Sequence, residues 1–363
     1  MKETERLLCD GIFLLLASGL LANSAGAQVN TQPPYGQEAA AGVQTLQSWY
    51  TPSTGLYQTT GWWNSANAIT VLANYSRVHH DQSYYSVFAH TFRHARKHSP
   101  QFINHYYDDE GWWALAWIDV YDLTKKPEYL SMAQSIFANM AKGWDSTCGG
   151  GVWWSKDRTY KNAISNELFL SVAASLAVHS AKATERARYL DWAQREWRWF
   201  ASSGMMNEQR LINDGLDPQT CKNNQGTIWS YNQGVILGGL IERNHAAPDP
   251  SLPATAQAIA SAALARLTDA NGILHDSHEP NGGVDSVQFK GIFVRNLMAL
   301  NENFPDPRYV VFFNTNAQSI WKTSRNAKNE FGEVWSGPFD QGNAAIQSSA
   351  LDVFVAAEAS QRR

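Results

Sequence analysis

The stretch Tyr106-Tyr107-Asp108-Asp109-Glu110-Gly111-Trp112-Trp113-Ala114-Leu115-Ala116-Trp117-Ile118 begins with acids and continues with almost nothing but apolar side chains. Acids in a first turn suit a helix N-terminus, where unpaired N–H groups and the macrodipole favour negative charge. Beyond them the helix has no polar face, and a helix that is apolar all round is buried on all sides. The same character returns in Asn67-Ala68-Ile69-Thr70-Val71-Leu72-Ala73, in Leu168-Phe169-Leu170-Ser171-Val172-Ala173-Ala174 and in Gly234-Val235-Ile236-Leu237-Gly238-Gly239-Leu240. Between these runs lie segments with one charged face, such as the one carrying Glu185, Arg186, Arg188, Asp191, Arg195, Glu196 and Arg198. Periodicity and turn residues predict helices near 35–50, 62–78, 82–98, 108–123, 127–142, 160–181, 184–203, 229–244, 250–268, 286–303, 306–325 and 339–360. Even-numbered members are apolar throughout and odd-numbered ones are amphipathic. Buried–exposed alternation over six helical hairpins describes an all-α closed toroid, with inner helices ringed by outer ones.

The 363 residues carry 44% hydrophobic and 17% charged side chains, a globular composition. A formal net charge of −4, without basic stripe or acidic tail, argues against nucleic acid or an anionic membrane surface as a partner. Fifteen Trp and 14 Tyr are the compositional outlier, and many stand in doublets at expected helix starts. Residues 1–27 read as a signal peptide: the apolar run Gly11–Leu21 is too short to span a bilayer comfortably and ends in Ala25-Gly26-Ala27, a small-x-small cleavage pattern. The leading segment is mixed in charge, with Lys2 and Arg6 beside Glu3, Glu5 and Asp10. Residues 28–363 are then one secreted domain, with no linker to divide it. Cys9 leaves with the signal, so Cys148 and Cys221 remain as an even pair in an oxidising compartment. One disulfide is expected, with two buried free thiols as the alternative. Asn74-Tyr75-Ser76 is a glycosylation sequon, usable only if Asn74 is exposed.

In such a toroid the inner helices run parallel and all their N-termini open on one face. The polar and aromatic residues gather there: Trp62, Trp63, Asn64 and Asn67; Tyr107 with Asp108 and Asp109; Lys161, Asn162, Asn166 and Glu167; Tyr231, Asn232 and Gln233; Gln288, Phe289 and Lys290; Asp340, Gln341 and Asn343. A core has no use for amides at six helix mouths, whereas a shared substrate groove does. Cys148 and Cys221 fall in the loops before the sixth and eighth helices, so their bond would clamp two loops at that mouth.

Asp108 and Asp109 are the candidate catalytic pair. The competing reading is capping, ordinary for acids at a helix start. Against it stand Trp112 at i+4 from Asp108, Trp113 at i+4 from Asp109, and Gly111, which leaves backbone room. Two carboxyls beside flat rings suit glycosidic cleavage, one ionised and one protonated, with rings to bind the apolar faces of sugars. Like charges in proximity cannot both ionise cheaply, which raises one pKa. Sequence neighbours reach the roughly 5–5.5 Å carboxyl gap of retaining enzymes more easily than the roughly 6.5–9.5 Å of inverting ones, so retention is expected. Rings expected on the sugar are drawn from the doublets Trp62-Trp63, Trp112-Trp113 and Trp153-Trp154, about half of them being structural, as helix doublets usually send one ring to the core. Lys290 and Arg295 could meet hydroxyls or pair with acids. Gly149-Gly150-Gly151 lacks the Lys and the strand of a phosphate loop. His90, His94 and His98 read as a solvated helix face, and neither metal nor cofactor is expected.

These residues resemble glycoside hydrolase family 76, the endo-α-1,6-mannanases. The motif YYDDEGWWALAWIDVYDLT at 106–124 carries the resemblance, supported by GWWNSANAI at 61–69, GWDSTCGGGVWW at 143–154, KNAISNELF at 161–169, WSYNQGVILGGL at 229–240 and FKGIFVRNL at 289–297. It implies an (α/α)6 barrel and cofactor-free, retaining hydrolysis of α-1,6-linked mannan, with Asp108 as nucleophile and Asp109 as general acid/base. Related fungal members are anchored cell-wall proteins thought to act as transglycosidases on mannose-bearing glycolipid anchors, which gives the alternative of a transglycosidase acting on mannose-containing cell-wall or anchor glycans. Here Ala356–Arg363 has no apolar tail for anchor attachment, so a soluble, monomeric hydrolase without a membrane anchor is expected. Other enzymes use six-hairpin toroids, sugar epimerases among them, and a non-catalytic glycan-binding protein could keep the same groove.

Overall fold

The computed structural model describes residues 35–362, so the expected signal peptide and Cys9 lie outside the described residues. Twelve α-helices are found in them: α1 Tyr35–Ser48, α2 Trp62–His79, α3 Tyr85–His94, α4 Tyr107–Thr124, α5 Pro127–Met140, α6 Ala163–His179, α7 Ala183–Ser202, α8 Ser230–Ala246, α9 Ser251–Leu267, α10 Phe289–Asn303, α11 Pro307–Thr323 and α12 Ala344–Gln361. The two short strands, β1 Tyr50–Thr51 and β2 Leu56–Tyr57, form one antiparallel pair.

The even-numbered helices close a ring. α2 packs on α4, α4 on α6, α6 on α8, α8 on α10, α10 on α12, and α12 returns to α2. Outer helices bridge adjacent inner ones: α5 touches α4 and α6, α7 touches α6 and α8, α9 touches α8 and α10, and α1 lies on α12 and α2. This is the (α/α)6 toroid that the alternation predicts. All-round apolarity sorted the rings: α6 buries every residue from Ala163 to Ala177, whereas α7 buries only Tyr189, Ala193, Glu196, Trp199 and Phe200.

Local chemistry sets the helix starts. The Asn162 side chain caps α6 by accepting from the Ser165 N–H (3.3 Å), and Asn343 caps α12 through the Ile346 N–H (2.9 Å). Both caps move these starts inward from the expected 160 and 339, because the preceding residues are extended. α3 is shorter than expected: the chain tightens into a 3-10 turn over Ala95–Lys97.

Because the inner helices are parallel, the ring has two unlike mouths. The C-terminal mouth encloses a chamber of about 420 Å³, lined by Arg77, Asp119, Asp122, His179, Glu242 and Arg295 among others. Most of its charges pair internally, with Arg77 on Glu302 (3.1 Å) and His179 on Asp122 (3.0 Å). Asn74 lines this chamber from the middle of α2 and is only partly exposed, so the folded chain does not present the sequon as a free loop. No helix among the described residues is long and apolar enough to cross a membrane.

Candidate active site

The N-terminal mouth is a trough. Its narrow part holds about 240 Å³ and is lined by Trp63, Asp108, Trp112, Trp154, Tyr160, Asn162, Asp214, Tyr231, Asp285 and Phe289. Past Trp63 and Asp285, which border both spaces, it opens into a wider compartment of about 670 Å³ beside Thr59, Asn64, Gln341 and Asn343.

Asp108 is placed by a short bridge. Tyr106 is extended (φ −110°, ψ 131°) and pairs antiparallel with Ser155, and the Tyr107 N–H donates to the Trp154 carbonyl at 2.9 Å. That pairing starts α4 against the segment 154–156. The Trp154 indole N–H then reaches Asp108 Oδ2 at 3.0 Å, and the Asp109 N–H donates to Asp108 Oδ1 at 3.1 Å. Asp109 has a separate donor: Asn104 Nδ2 lies 2.5 Å from its Oδ2. Glu110, the third acid of the run, points the other way. It is fully buried and held by Asn139 (2.9 and 2.8 Å) and by the Lys156 ammonium (3.0 Å).

Asp108 lines the trough and Asp109, the next residue, does not; both are partly exposed, yet protein surrounds them closely enough to raise their affinity for protons. Burial raises Asp108 first and the charge of Asp109 second, against the Trp154 N–H, which lowers it. Burial also pushes Asp109 up to about 7; Asn104 opposes the rise, and the charges of Asp285 and Glu110 add to it. Such a pair titrates as a unit. Two N–H donors reach Asp108 and one side-chain donor reaches Asp109, and the charge of Asp109 is among the causes that raise Asp108, so the pair holds on to a proton between them.

Rings and further carboxylates complete the walls. Trp63 stacks on Trp112 (centroids 5.8 Å), Trp112 faces Tyr231 (6.5 Å), and Tyr231 lies flat on Phe289 (3.7 Å, 11° between planes). The Trp63 indole donates to Asp285 Oδ1 at 2.9 Å, and Tyr160 donates to Asp214 Oδ2 at 2.5 Å. The trough thus presents flat apolar faces and hydrogen-bond acceptors together, which suits a polyhydroxylated ligand.

Of the residues expected to bind substrate, Trp112, Trp154, Asn162 and Tyr231 line the narrow trough with Asp108, and Asn64 lines the wider compartment. The others are corrected. Trp113 is fully buried and packs at a tilt on Trp62 (4.8 Å) and Phe102 (4.8 Å), and the half-buried Trp62 also packs on Phe102, so both rings belong to the core and not to the trough. Trp153 is buried with its indole on Asp145 (2.7 Å), while its neighbour Trp154 takes the groove. The Tyr107 ring packs on Gly143, where even a methyl group would collide with it at 2.6 Å. Asn67 accepts from the Arg295 guanidinium beneath Trp112. Asn166 clasps the Val152 backbone (2.6 and 2.9 Å), and Gln233 does the same to Ile212 (2.8 and 2.9 Å). Lys290 is buried against Glu279 (2.6 Å) and the Glu333 carbonyl (2.7 Å). Asn232 is fully buried, with no protein partner for either amide atom among the described residues. Asn166 and Gln233 thus anchor long connections to the helices beneath them, which places them at the mouths without touching the trough. Asn104, Tyr160, Asp214 and Asp285 were missed: all four sit on loops, without a periodic signal.

Cys148 and Cys221 form a disulfide across 73 residues and tie the connection before α6 to the one before α8. Beside it the Lys161 ammonium, 1% exposed, donates to Asp145 Oδ1 (2.9 Å) and to the carbonyls of Thr147 (2.7 Å), Gly150 (2.6 Å) and Gly151 (3.0 Å). Burial alone would raise Asp145, but Lys161 and the Trp153 indole hold it at about 2. Lys161 is therefore the internal post on which the glycine loop hangs. Gly151 has φ +86°, with the Trp199 ring 2.2 Å from where a Cβ would stand, so only glycine fits.

The sequence model described as glycosyl hydrolase family 76 matches residues 36–363. The mannan endo-1,6-alpha-mannosidase DCW1 of Candida glabrata is 29% identical over 294 residues, which cover 70% of this chain and 61% of that protein. The chain spans about six tenths of that relative and of its Saccharomyces cerevisiae counterpart, 61% and 59%. Among solved structures, an inactive variant of the alpha-1,6-mannanase of Salegentibacter sp. HEL1_6, in complex with alpha-1,6-mannotetrose, superposes with a TM-score of 0.81 at 22% identity, over 90% of this chain and 99% of that one. Dfg5 from Chaetomium thermophilum, in complex with glucosamine, gives a TM-score of 0.81 at 19% identity, with 92% of each chain covered.

Proposed function

Because the chain belongs to glycosyl hydrolase family 76, we propose that it cleaves α-1,6-mannosidic linkages with retention of configuration, using Asp108 as nucleophile and Asp109 as general acid/base. The carrying observation is the adjacency of two differently held, partly exposed carboxyls at the trough: Asp108 in its lining under two N–H donors, and Asp109 beside it, pushed up to about 7. In this reading Asp108 attacks the anomeric carbon while the Asp109 proton passes to the departing oxygen. Water, deprotonated by Asp109, then releases the sugar from Asp108. The stacked rings Trp63, Trp112 and Tyr231 supply the platform for the sugar. Support comes from the Salegentibacter enzyme, whose inactive variant carries two consecutive aspartates changed to alanine and binds alpha-1,6-mannotetrose. The proposal extends to a secreted, monomeric enzyme that needs no cofactor. Transfer of mannose to another glycan in place of water would use the same two aspartates.

Incubation with linear α-1,6-mannan, following product anomers by NMR, tests the whole reading. The first-formed reducing ends are expected in the α configuration. Asp109→Asn should abolish turnover and keep oligomannose binding. A β-anomeric first product would remove the nucleophile role from Asp108, and wild-type protein that binds mannan without cutting it would make this a glycan-binding protein.

A further inference from the structure

Each aspartate of the pair has its own side-chain donor, and both donors depend on one piece of backbone. The segments 104–107 and 154–156 lie side by side through the Tyr106–Ser155 bridge, the Tyr107 N–H to the Trp154 carbonyl (2.9 Å) and the Lys156 N–H to the His105 carbonyl (3.0 Å). Trp154 from one segment holds Asp108, and Asn104 from the other holds Asp109. The Asn104 amide cannot turn over. Its Oδ1 accepts the Tyr106 N–H at 2.9 Å, so Nδ2 must face Asp109. The Lys156 ammonium donates to the Asn104 carbonyl and reaches back 3.0 Å to the fully buried carboxylate of Glu110, one residue beyond Asp109 on α4. Asn139 holds Glu110 from α5.

We propose that Asn104 is a positioning residue for Asp109, clamped by Lys156 and Glu110, and that it fixes which oxygen of Asp109 carries the catalytic proton. The inference rests on the general-acid reading of Asp109. The carbonyl oxygen of a protonated carboxyl is a better acceptor than its hydroxyl, so the amide N–H at Oδ2 favours the bare oxygen there and the proton on Oδ1. In the cleavage step the Oδ1–H bond breaks and its proton joins the leaving oxygen. The bond from that oxygen to the anomeric carbon breaks with its electron pair kept by the oxygen, and an Asp108 oxygen bonds to the carbon. Asp109 is left as a carboxylate, still anchored at Oδ2. The charged groups around Asp109 are Asp108 and Glu110 on its own helix, Asp285 from the α9–α10 connection, and Lys156 from the bridge segment.

The test compares wild type, Asn104→Ala and Lys156→Met on two substrates: α-1,6-mannotetraose, whose leaving group needs a proton, and a 2,4-dinitrophenyl α-mannoside, whose leaving group does not. Asn104→Ala should lower kcat/KM on the tetraose about 10- to 100-fold and leave the dinitrophenyl glycoside within about threefold. Lys156→Met should show the same split with a smaller loss. Equal losses on both substrates, or no loss on the tetraose, overturn the proposal. Carboxyl ¹³C NMR titration of Asp109 gives a readout independent of turnover. Losing the donor should raise the midpoint by about one pH unit in Asn104→Ala, and an unmoved midpoint overturns the proposal even if the protein cuts neither substrate. A wild type inactive on both substrates with a shifted midpoint would instead remove the hydrolase reading alone.

Discussion

Replacing Trp154 by Phe isolates one hydrogen bond at the heart of the trough. The phenyl ring keeps a flat face beside Tyr106, whose ring centroid lies 5.0 Å from that of Trp154, but it has no N–H for Asp108 Oδ2. A hydrogen bond to a charged group is worth about 1.5–3 kcal/mol, and 1.36 kcal/mol corresponds to one pH unit, so a bond in a dry site would move Asp108 by about one to two units. Trp154 is 37% exposed, and water takes over part of the lost interaction, which puts the expected shift near the lower figure, about one unit. The sign follows from which form the N–H stabilises. It favours the carboxylate, so its loss raises the pKa, and the nucleophile becomes available only at higher pH. The acid limb of kcat/KM on α-1,6-mannan should therefore move up by about one unit, and the plateau should fall by about tenfold. Reducing-end release from pH 3 to pH 9 measures both. A lowered plateau with an unmoved acid limb would refute the reasoning, because the ring would then act only as a stacking platform.

Three further substitutions probe the scaffold. Lys161→Met strips the buried ammonium from Asp145 and three carbonyls; breaking such a buried pair costs about 3–5 kcal/mol, which for a domain of this size lowers Tm by about 4–7 °C in calorimetry. Glu196→Gln has a pH signature. Burial pushes this carboxyl up to about 8, against the Trp144 indole and the nearby Lys161 and Arg195, so the folded state holds a proton that the unfolded chain releases near its ordinary value. The stability given by the neutral acid is complete below that ordinary value and is lost as pH rises toward 8, at up to about 1.4 kcal/mol per unit. The variant should match wild type in Tm at pH 5 and exceed it at pH 8; parallel Tm curves would show that Glu196 does not titrate. Gly151→Ala forces a methyl group into the Trp199 ring at a left-handed backbone position, and Tm should drop by about 3 °C or more; an unchanged Tm would show that the glycine loop yields freely.

Much of the toroid was legible because burial on all sides leaves a mark in composition: α6 and α12 have no polar face to spare, and α7 shows its water side as a run of Arg and Glu. The aspartate pair was legible because helix mouths converge in a closed ring. What the pattern did not resolve was phase. Trp112 and Trp113 differ by one residue, about 100° of rotation, and that angle separates a trough wall from the core. The i+4 partner of Asp108 is the ring in the trough, whereas the i+4 partner of Asp109 packs on Phe102, and Asp109 itself turns to the Asn104 amide. The amides Asn166 and Gln233 misled for a related reason. A buried amide that straps a connection to a helix and one that binds a hydroxyl are the same residue type in the same place, and only the partner distinguishes them. Asn104, Asp214 and Asp285 sit on connections whose course depends on packing, so no periodicity points to them.

The ring has a consequence for how the chain is made. α1 and one flank of α2 lie against α12, the last helix of the ring in chain order. Throughout translation the earliest helices therefore wait with greasy sides uncovered, in need of shielding, until a partner some 300 residues downstream emerges. A seam stitched from segments so far apart in sequence makes closure of the ring slow, so a slip late in its making strands the helices made before it.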